Sequence, residues 1–258
     1  MSAKMNEPNW LADMAAVSQL TPTGMLRAAI NFGNPVLAQR DPVTGEPRGV
    51  SVELARGLAQ RLDVEIEFKT FDAAGKVFES ARQDIWDIAF LAIDPLRAED
   101  ILFTPPYVLI EGTYLVKDNS PFQHIDDIDR QGATVAVGKG AAYDLFLSRT
   151  LRHASIVRLP TSEKAMTQFE SVGAHAAAGV RQPLEAHANT HAGFRVLEGR
   201  FMLIQQAMCC PQGRDAAGRL LAIYVEYAKR AGLVAEGLKH SGQGDATVAP
   251  WLPDQNYS

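Results

Sequence analysis

Residues 86–107 read WDIAFLAIDPLRAEDILFTPPY and combine an apolar run, a turn signal and a pair of prolines. The run Ile85–Leu91 is typical of a strand buried in a parallel sheet. Asp94-Pro95 then predicts the start of a helix, because an N-cap Asp accepts free amide protons and proline is preset for the first helical position. This stretch therefore predicts a buried strand that leads directly into a helix.

Strand and helix patterns alternate on both sides of this stretch. Leu26–Ile30 and Val64–Phe68 have the apolar patterns of strands, and Ser51–Leu62 carries one apolar helical face between them. After residue 116 the pattern restarts, with strand patterns at Ala133–Val137 and Ala174–Ala178. Such alternation predicts an α/β protein with largely parallel strands covered by helices.

The restart of the pattern divides the chain into two predicted lobes. We expect lobe 1 to comprise residues 26–112 and 200–258, and lobe 2 to comprise residues 113–199. Residues 1–25 form an N-terminal extension, which is predicted to be helical because its apolar side chains have roughly helical spacing. We expect a separate sheet in each lobe rather than one continuous sheet.

Composition and charge restrict the class of partner. The 258 residues include 25 Lys and Arg against 30 Asp and Glu, a formal charge of −5, and 47% of them are hydrophobic. This composition excludes general disorder. The weakly acidic charge argues against nucleic acid as a partner, and no segment is apolar and long enough for direct insertion into a membrane.

The first twenty residues bear on the location of the protein. A secretory signal needs a basic start, an apolar run and a small-residue cleavage site. Residues 1–20 contain Glu7 and Asp13, and their longest apolar run is only Met14–Val17. The sequence as written therefore predicts a cytoplasmic protein, and a periplasmic one if the native start differs.

Several segments together resemble amino-acid-type (family 3) solute-binding proteins. They are residues 26–31, 45–55, 86–97, 103–107 and 120–140, and the similarity continues in consistent order to about residue 237. The resemblance implies the type II periplasmic-binding-protein fold, in which two Rossmann-like α/β lobes are joined by two crossing strands. It also implies a small ligand held in the cleft between the lobes, with no cofactor.

The same resemblance assigns the groups that hold an anion. Arg97 occupies the position of the arginine that binds the α-carboxylate, and a guanidinium suits bidentate pairing with a carboxylate. The alternative is a pair between Arg97 and Glu99 or Asp100 on the same helix. From lobe 2, the loop residues that correspond to the family's second anion contact are Gly138, Gly140, Ala141 and Ala142.

Some positions depart from the family pattern, and they concern the ammonium group of an amino acid. Ala92 replaces a small hydroxyl residue, Asn31 replaces a frequent acid, and Arg181, after Val180, replaces an Asp that binds the ligand ammonium. An Arg cannot accept a hydrogen bond. If Arg181 points into the cleft, the site favours mono- or dicarboxylates without an amine; the alternative is a side chain turned to solvent. Further predicted cleft residues are Phe32, Asn34, Ala73 and Phe90.

These residues favour a binding protein for a small carboxylate or amino-acid-like solute that closes by a hinge. If exported, it would serve an ABC importer and contact its membrane component. The alternative is a cytoplasmic enzyme on the same fold, such as a lyase similar to cyclohexadienyl dehydratase, with Glu111 or Asp94 as general acid. A third possibility is the effector domain of a regulator, but no DNA-binding segment is attached to such a domain in this sequence.

Histidine and cysteine patterns predict no metal site. His187 and His191 would share one face of a helix, but no third ligand with suitable spacing accompanies them. Cys209 and Cys210 are adjacent, and a cytoplasmic setting favours two thiols over a strained disulfide between them.

Overall fold

The computed structural model describes residues 7–252. In the N-terminal part, the helices and strands in chain order are α1 (Met14–Leu20), β1 (Leu26–Asn31), β2 (Gln39–Arg40), β3 (Pro47–Arg48), α2 (Val50–Arg61), β4 (Ile66–Phe71), α3 (Ala74–Glu79), β5 (Ile88–Ala92) and β6 (Ile101–Lys117). The remaining ones are β7 (Thr134–Gly138), α4 (Ala142–Thr150), β8 (Ser155–Leu159), α5 (Ser162–Gln168), β9 (Ala176–Val180), α6 (Arg181–Thr190), β10 (Phe194–Val196), β11 (Met202–Pro211), α7 (Asp215–Arg230), α8 (Leu233–His240) and β12 (Thr247–Val248).

The main sheet contains two parallel groups of strands joined by two antiparallel ones. Its order is β4-β1-β5-β11-β6-β9-β7-β8, and β10 and β12 also pair with β6. β1 is parallel to β4 and β5, and β7 is parallel to β8 and β9. The prediction of a parallel α/β unit in each half of the chain is therefore confirmed.

The expectation of two separate sheets is wrong. Apart from the separate pair β2-β3, the strands form one hydrogen-bonded sheet because β6 is 17 residues long and passes through both lobes. Its first part pairs with β11 as far as Gly112, and its last part pairs with β9 and β10. The boundary between lobes 1 and 2 stays a prediction, but β6 and β11 are the strands that cross the cleft.

The predicted helix at Asp94-Pro95 is reduced to a turn. Asp94 Oδ1 does accept a hydrogen bond from the Leu96 amide, at 2.9 Å, as a capping residue would. Only one turn of 3₁₀ helix follows, Arg97–Glu99, because the chain enters β6 at Ile101. This tight connection places Arg97 directly behind the carboxyl end of β5.

A buried ion-pair network fixes the base of lobe 1. The Asp87 carboxylate is fully buried and accepts hydrogen bonds from Arg27 Nε at 2.9 Å and Arg214 Nη1 at 2.8 Å. Asp84 pairs with the same two arginines at 3.0 Å, but its side chain is 71% exposed. The network joins β1, the residue before β5 and the start of α7.

The ends of the described chain pack on lobe 1. Within the predicted N-terminal extension, the helix is α1, and the Trp10 ring packs edge-on against Tyr224 of α7 with centroids 5.6 Å apart. Near the C-terminal end of the described residues, the short strand β12 pairs with β6. Residues 1–6 and 253–258 lie outside the described residues. Between residues 7 and 252, no helix combines the length and apolar character that a membrane crossing requires.

Candidate functional site

Arg97 is a fully buried cation without a carboxylate partner. Its Nη1 donates to the Ala92 carbonyl at 3.0 Å, and its Nη2 donates across the cleft to the Gly140 carbonyl at 2.8 Å. Its Nε has no hydrogen-bond partner. Among residues 7–252, no Asp or Glu forms an ion pair with Arg97, and Asp100, the alternative partner, pairs with Arg82 instead.

Burial of the charged Arg97 guanidinium costs free energy, and no ion pair within the described part of the protein compensates for this cost. Loss of hydration lowers the pKa of Arg97 to about 10, and the negative charge of Asp94 opposes that shift. The side chain is still protonated at neutral pH. An unpaired buried charge is unfavourable, and an anion beside the guanidinium would reduce that cost.

A cavity of about 40 Å³ lies beside this guanidinium, and we call it the inner cavity. It is lined by eight of the residues predicted from the sequence: Asn31, Asn34, Phe90, Ala92, Arg97, Ala141, Ala142 and Val180. The sequence analysis missed the other seven residues that line it: Gly33, Ala74, Leu91, Tyr143, Ser162, Ile204 and Gln206.

A larger cavity of about 340 Å³ adjoins the inner one, and we call it the outer cavity. The two share Gly33, Tyr143, Ser162 and Val180, so they form one continuous cleft between the lobes. Phe32, which was predicted as a cleft residue, lines the outer cavity. The other residues lining it are Pro35, Asp72, Thr161, Glu163, Met166, Gly179, Pro183 and Leu184.

The glycine loop of lobe 2 contributes in a different way from the one predicted. Gly138 and Gly140 line neither cavity, and the Gly140 amide already donates to Asp144 Oδ2 at 2.8 Å. Ala142 and Tyr143, the first residues of α4, line the inner cavity, and amides in the first turn of a helix have no helical carbonyl to donate to. These amides, rather than the glycines, are the groups of lobe 2 that are suited to an anion.

The glycines instead allow the two lobes to touch. Gly140 has a φ of +71°, and a Cβ atom there would lie 2.7 Å from the Cα of Gly75 in lobe 1. A side chain at either position would push the lobes apart. Gly138 packs equally closely on Ser162, whose amide nitrogen would lie 2.7 Å from an added Cβ.

The prediction that Arg181 makes the cleft positive is wrong. Its Nε donates to Glu111 Oε2 at 2.7 Å, its Nη1 pairs with Glu185 at 3.3 Å, and its Nη2 donates to the Gly199 carbonyl. Arg181 lines neither cavity, whereas Val180 lines both. The Arg181 side chain stays outside both cavities because α6 begins at this residue and the guanidinium is held by Glu111, Glu185 and the Gly199 carbonyl.

The two carboxyl groups considered as general acids are also paired. Arg200 and Arg181 both donate to Glu111 and hold the pKa of that carboxyl below its usual range, whereas a general acid needs a raised pKa. Asp94 pairs with Arg149 at 2.7 Å. Neither acid lines a cavity, and neither does Ala73, which lies between two residues that do.

Asp94 and Arg149 form an ion pair that joins the two lobes. Asp94, two residues after β5, has a side chain that is 4% exposed, and Arg149 reaches it from α4 in lobe 2. The hydrogen bond from Arg97 to Gly140 and a longer pair between Lys139 and Glu79, at 3.7 Å, also join lobe 1 to lobe 2. All three contacts connect the lobes without a ligand.

We expect Arg149→Gln to open the cleft in the ligand-free protein, because it leaves the buried Asp94 carboxylate without its cation. Small-angle X-ray scattering should show a larger radius of gyration than in the wild type. Arg152→Gln, at an exposed residue that makes no ion pair in the described structure, is the matched control. Identical scattering from Arg149→Gln and wild type would show that the pair does not hold the lobes together.

Comparison with known proteins identifies the family. The model of the bacterial extracellular solute-binding proteins, family 3, matches residues 26–240. The chain belongs to this family. The glutamine-binding protein of Geobacillus stearothermophilus is 20% identical over 189 residues, which are 72% of each chain.

Solved structures of amino-acid-binding proteins share the fold. A substrate-binding protein of an amino acid ABC transporter from Streptococcus pneumoniae, bound to L-arginine, superposes with a TM-score of 0.75 at 18% identity, over 91% of this chain and 99% of the other. An ancestral amino-acid-binding protein, a precursor of cyclohexadienyl dehydratase, gives 0.72 at 20% identity, over 87% and 98%. The predicted type II periplasmic-binding-protein fold is confirmed.

No histidine or cysteine of the described chain lines the inner or the outer cavity. His187 and His191 stack with ring centroids 4.2 Å apart, and within residues 7–252 no group of three or more His, Cys, Asp or Glu side chains is arranged to hold a metal ion. Cys209 and Cys210 are buried free thiols, and burial raises the pKa of both.

Proposed function

We propose that this family 3 protein binds a small solute through a carboxylate, an amino acid or a related organic acid, in the cleft between its lobes. The observation that carries the proposal is Arg97, a buried guanidinium with an unpartnered Nε beside a cavity. A carboxylate there would receive charge-assisted hydrogen bonds from Arg97 and from the amides at the start of α4.

The two sets of donors explain why binding would favour closure. Arg97 belongs to lobe 1, whereas the Ala142 and Tyr143 amides belong to lobe 2. A carboxylate contacts both sets only when the lobes are together. The ligand therefore binds the closed state more tightly and shifts the population toward it.

The partner we propose is the membrane component of an ABC importer. The Streptococcus pneumoniae relative is a substrate-binding protein of an amino acid ABC transporter. Such a role places the protein outside the cytoplasmic membrane; in the cytoplasm, the location predicted from the sequence as written, the same site would serve a sensor or a buffer. The ion pairs of Glu111 and Asp94 support binding rather than lyase chemistry.

A thermal-shift screen of amino acids and organic acids tests this proposal. A ligand that binds only the folded state stabilises it by about 2.7 kcal/mol at a hundred times its Kd. We expect a rise in Tm with at least one carboxylate and none with the corresponding primary amide. If no carboxylate raises the Tm, or the amides act equally well, the proposal is wrong.

A further inference from the structure

We infer that the solute is a monocarboxylic acid that lacks an α-amine and carries an apolar body of roughly the size of a leucine or phenylalanine side chain. The inference rests on the proposed function, since it assumes that Arg97 binds the carboxylate. It then follows from the charges and the surfaces of the two cavities.

The inner cavity contains one charged group. Arg97 is the only charged residue that lines it in the described chain, and its polar neighbours, such as Asn31, Ser162 and Gln206, are neutral. A single carboxylate compensates one guanidinium. A second carboxylate on the ligand would have no cation of its own in either cavity, which excludes the dicarboxylates expected from the sequence.

An α-ammonium group would lack an anionic partner in this site. It is attached to the carbon next to the carboxylate, so it must lie in the inner cavity close to Arg97. Asp94, the acid whose charge acts on Arg97, is paired with Arg149 and does not line the cavity. An amino acid would therefore lose hydration of its ammonium without gaining a salt bridge.

The acids of the outer cavity do not supply that partner. Asp72 and Glu163 line the outer cavity alone, and both are exposed to solvent. Asp72 is also paired with Lys76 at 2.7 Å. Exposed carboxylates keep their own hydration, so they offer less to an ammonium than a buried acid beside Arg97 would.

The inner cavity offers amide groups that suit a neutral oxygen on the second carbon. The Gln206 side chain is 6% exposed and makes no hydrogen bond with another described residue. The Asn31 oxygen accepts from the Gly33 amide at 2.9 Å, which leaves its NH₂ group free to donate. Both residues line the inner cavity, and their uncharged amide groups are chemically suited to a 2-oxo or 2-hydroxy oxygen.

The outer cavity is mainly apolar and determines the rest of the ligand. Phe32 and Pro35 line it from lobe 1, and Met166, Pro183 and Leu184 line it from lobe 2. Val180 connects it with the inner cavity. A ligand whose carboxylate lies at Arg97 therefore places an apolar body in this space, where burial of apolar surface favours binding.

Calorimetry with matched pairs tests the inference. We expect 4-methyl-2-oxopentanoate and phenylpyruvate to bind at least tenfold more tightly than leucine and phenylalanine, and 2-oxoglutarate to bind more weakly than either 2-oxo acid. Equal or tighter binding of leucine or phenylalanine, or of 2-oxoglutarate, would overturn the inference while leaving carboxylate binding intact. If no carboxylate binds, the proposed function itself fails.

Val180→Asp tests the reason for excluding amines. Val180 lines both cavities and is the N-cap residue of α6, where Asp is favourable. The added carboxylate should shift the affinity ratio between phenylalanine and phenylpyruvate at least tenfold toward the amino acid, whereas neutral Val180→Asn should shift it much less. A folded Val180→Asp protein, verified by circular dichroism, with an unchanged ratio would contradict the argument.

Substitutions of Met166 test independently whether the apolar body of the ligand occupies the outer cavity. Met166→Gln keeps the length of the side chain but adds a polar end, so it should weaken phenylpyruvate binding about tenfold and leave pyruvate binding unchanged. Met166→Leu is the conservative control and should retain phenylpyruvate affinity. Equal affinities in the Gln and Leu variants would show that the ligand does not reach this cavity.

Discussion

Arg97→Met is expected to abolish solute binding and leave the ligand-free protein folded. Each hydrogen bond between a charged group and its partner contributes about 1.5–3 kcal/mol, so losing a bidentate pair should weaken binding by a hundredfold or more. Titration calorimetry measures the first effect. Urea unfolding without ligand measures the second.

The ligand-free protein should not lose stability, because Arg97 is a cost to the fold. Its pKa in the folded state is lowered to about 10, below the ordinary value of an arginine, so folding opposes its protonation. That penalty is fully present below about pH 10 and disappears as the pH rises past the ordinary pKa of the side chain. It opposes the loss of the hydrogen bonds to Ala92 and Gly140, each of which contributes about 1.5–3 kcal/mol because the donor is charged.

Two outcomes would contradict this interpretation of Arg97. Retained solute affinity in Arg97→Met would show that the carboxylate binds elsewhere. A fall of several kcal/mol in the unfolding free energy of the ligand-free variant would show that Arg97 serves the fold rather than the site. Arg97→Lys should recover only part of the affinity, because an ammonium lacks the fork of the guanidinium.

The sequence predicted those parts of the site that local patterns determine. The apolar run before Asp94 located β5, and the position of Arg97 behind that strand followed from the family pattern. The parallel strands on each side were recognisable because buried strands are continuously apolar. These features depend on neighbours in the chain.

The features that the sequence did not predict depend on contacts between distant segments. Gln206 faces the cleft because β11 pairs with β5 and places it opposite Ala92, 114 residues earlier. Arg181 was considered as a cleft residue from the family pattern, but its partner Glu111 lies 70 residues away on β6. No periodicity encodes either contact.

The two prolines in β6 show another limit of predicting the structure from the sequence. Pro105 and Pro106 lack an amide hydrogen and would normally argue against a central strand. β6 nevertheless continues through them, and the pairing with β11 becomes irregular on either side of Ala207, opposite Pro106. The irregularity lies next to Gln206, so the prolines help to shape the strand that lines the inner cavity.

Asp87→Ala should destabilise the fold more than any substitution on the cleft surface. Asp87 is fully buried and is the shared acceptor of Arg27 and Arg214, two largely buried guanidiniums. Removing one member of a buried ion pair costs about 3–5 kcal/mol, because the remaining charges are left uncompensated. Urea denaturation followed by circular dichroism should show this loss in the unfolding free energy.

Asp84→Asn is the matched control, because Asp84 pairs with the same two arginines at 3.0 Å but its side chain is 71% exposed. The φ of Asp84 is +50°, in the left-handed region, which Asn tolerates better than Ala does. An exposed pair contributes about 0.2–1 kcal/mol, so this variant should stay close to the wild type. Adding Arg27→Met to Asp87→Ala should recover part of the loss, since it removes one of the stranded charges. Equal effects of Asp84→Asn and Asp87→Ala would show that burial does not determine the contribution of this network.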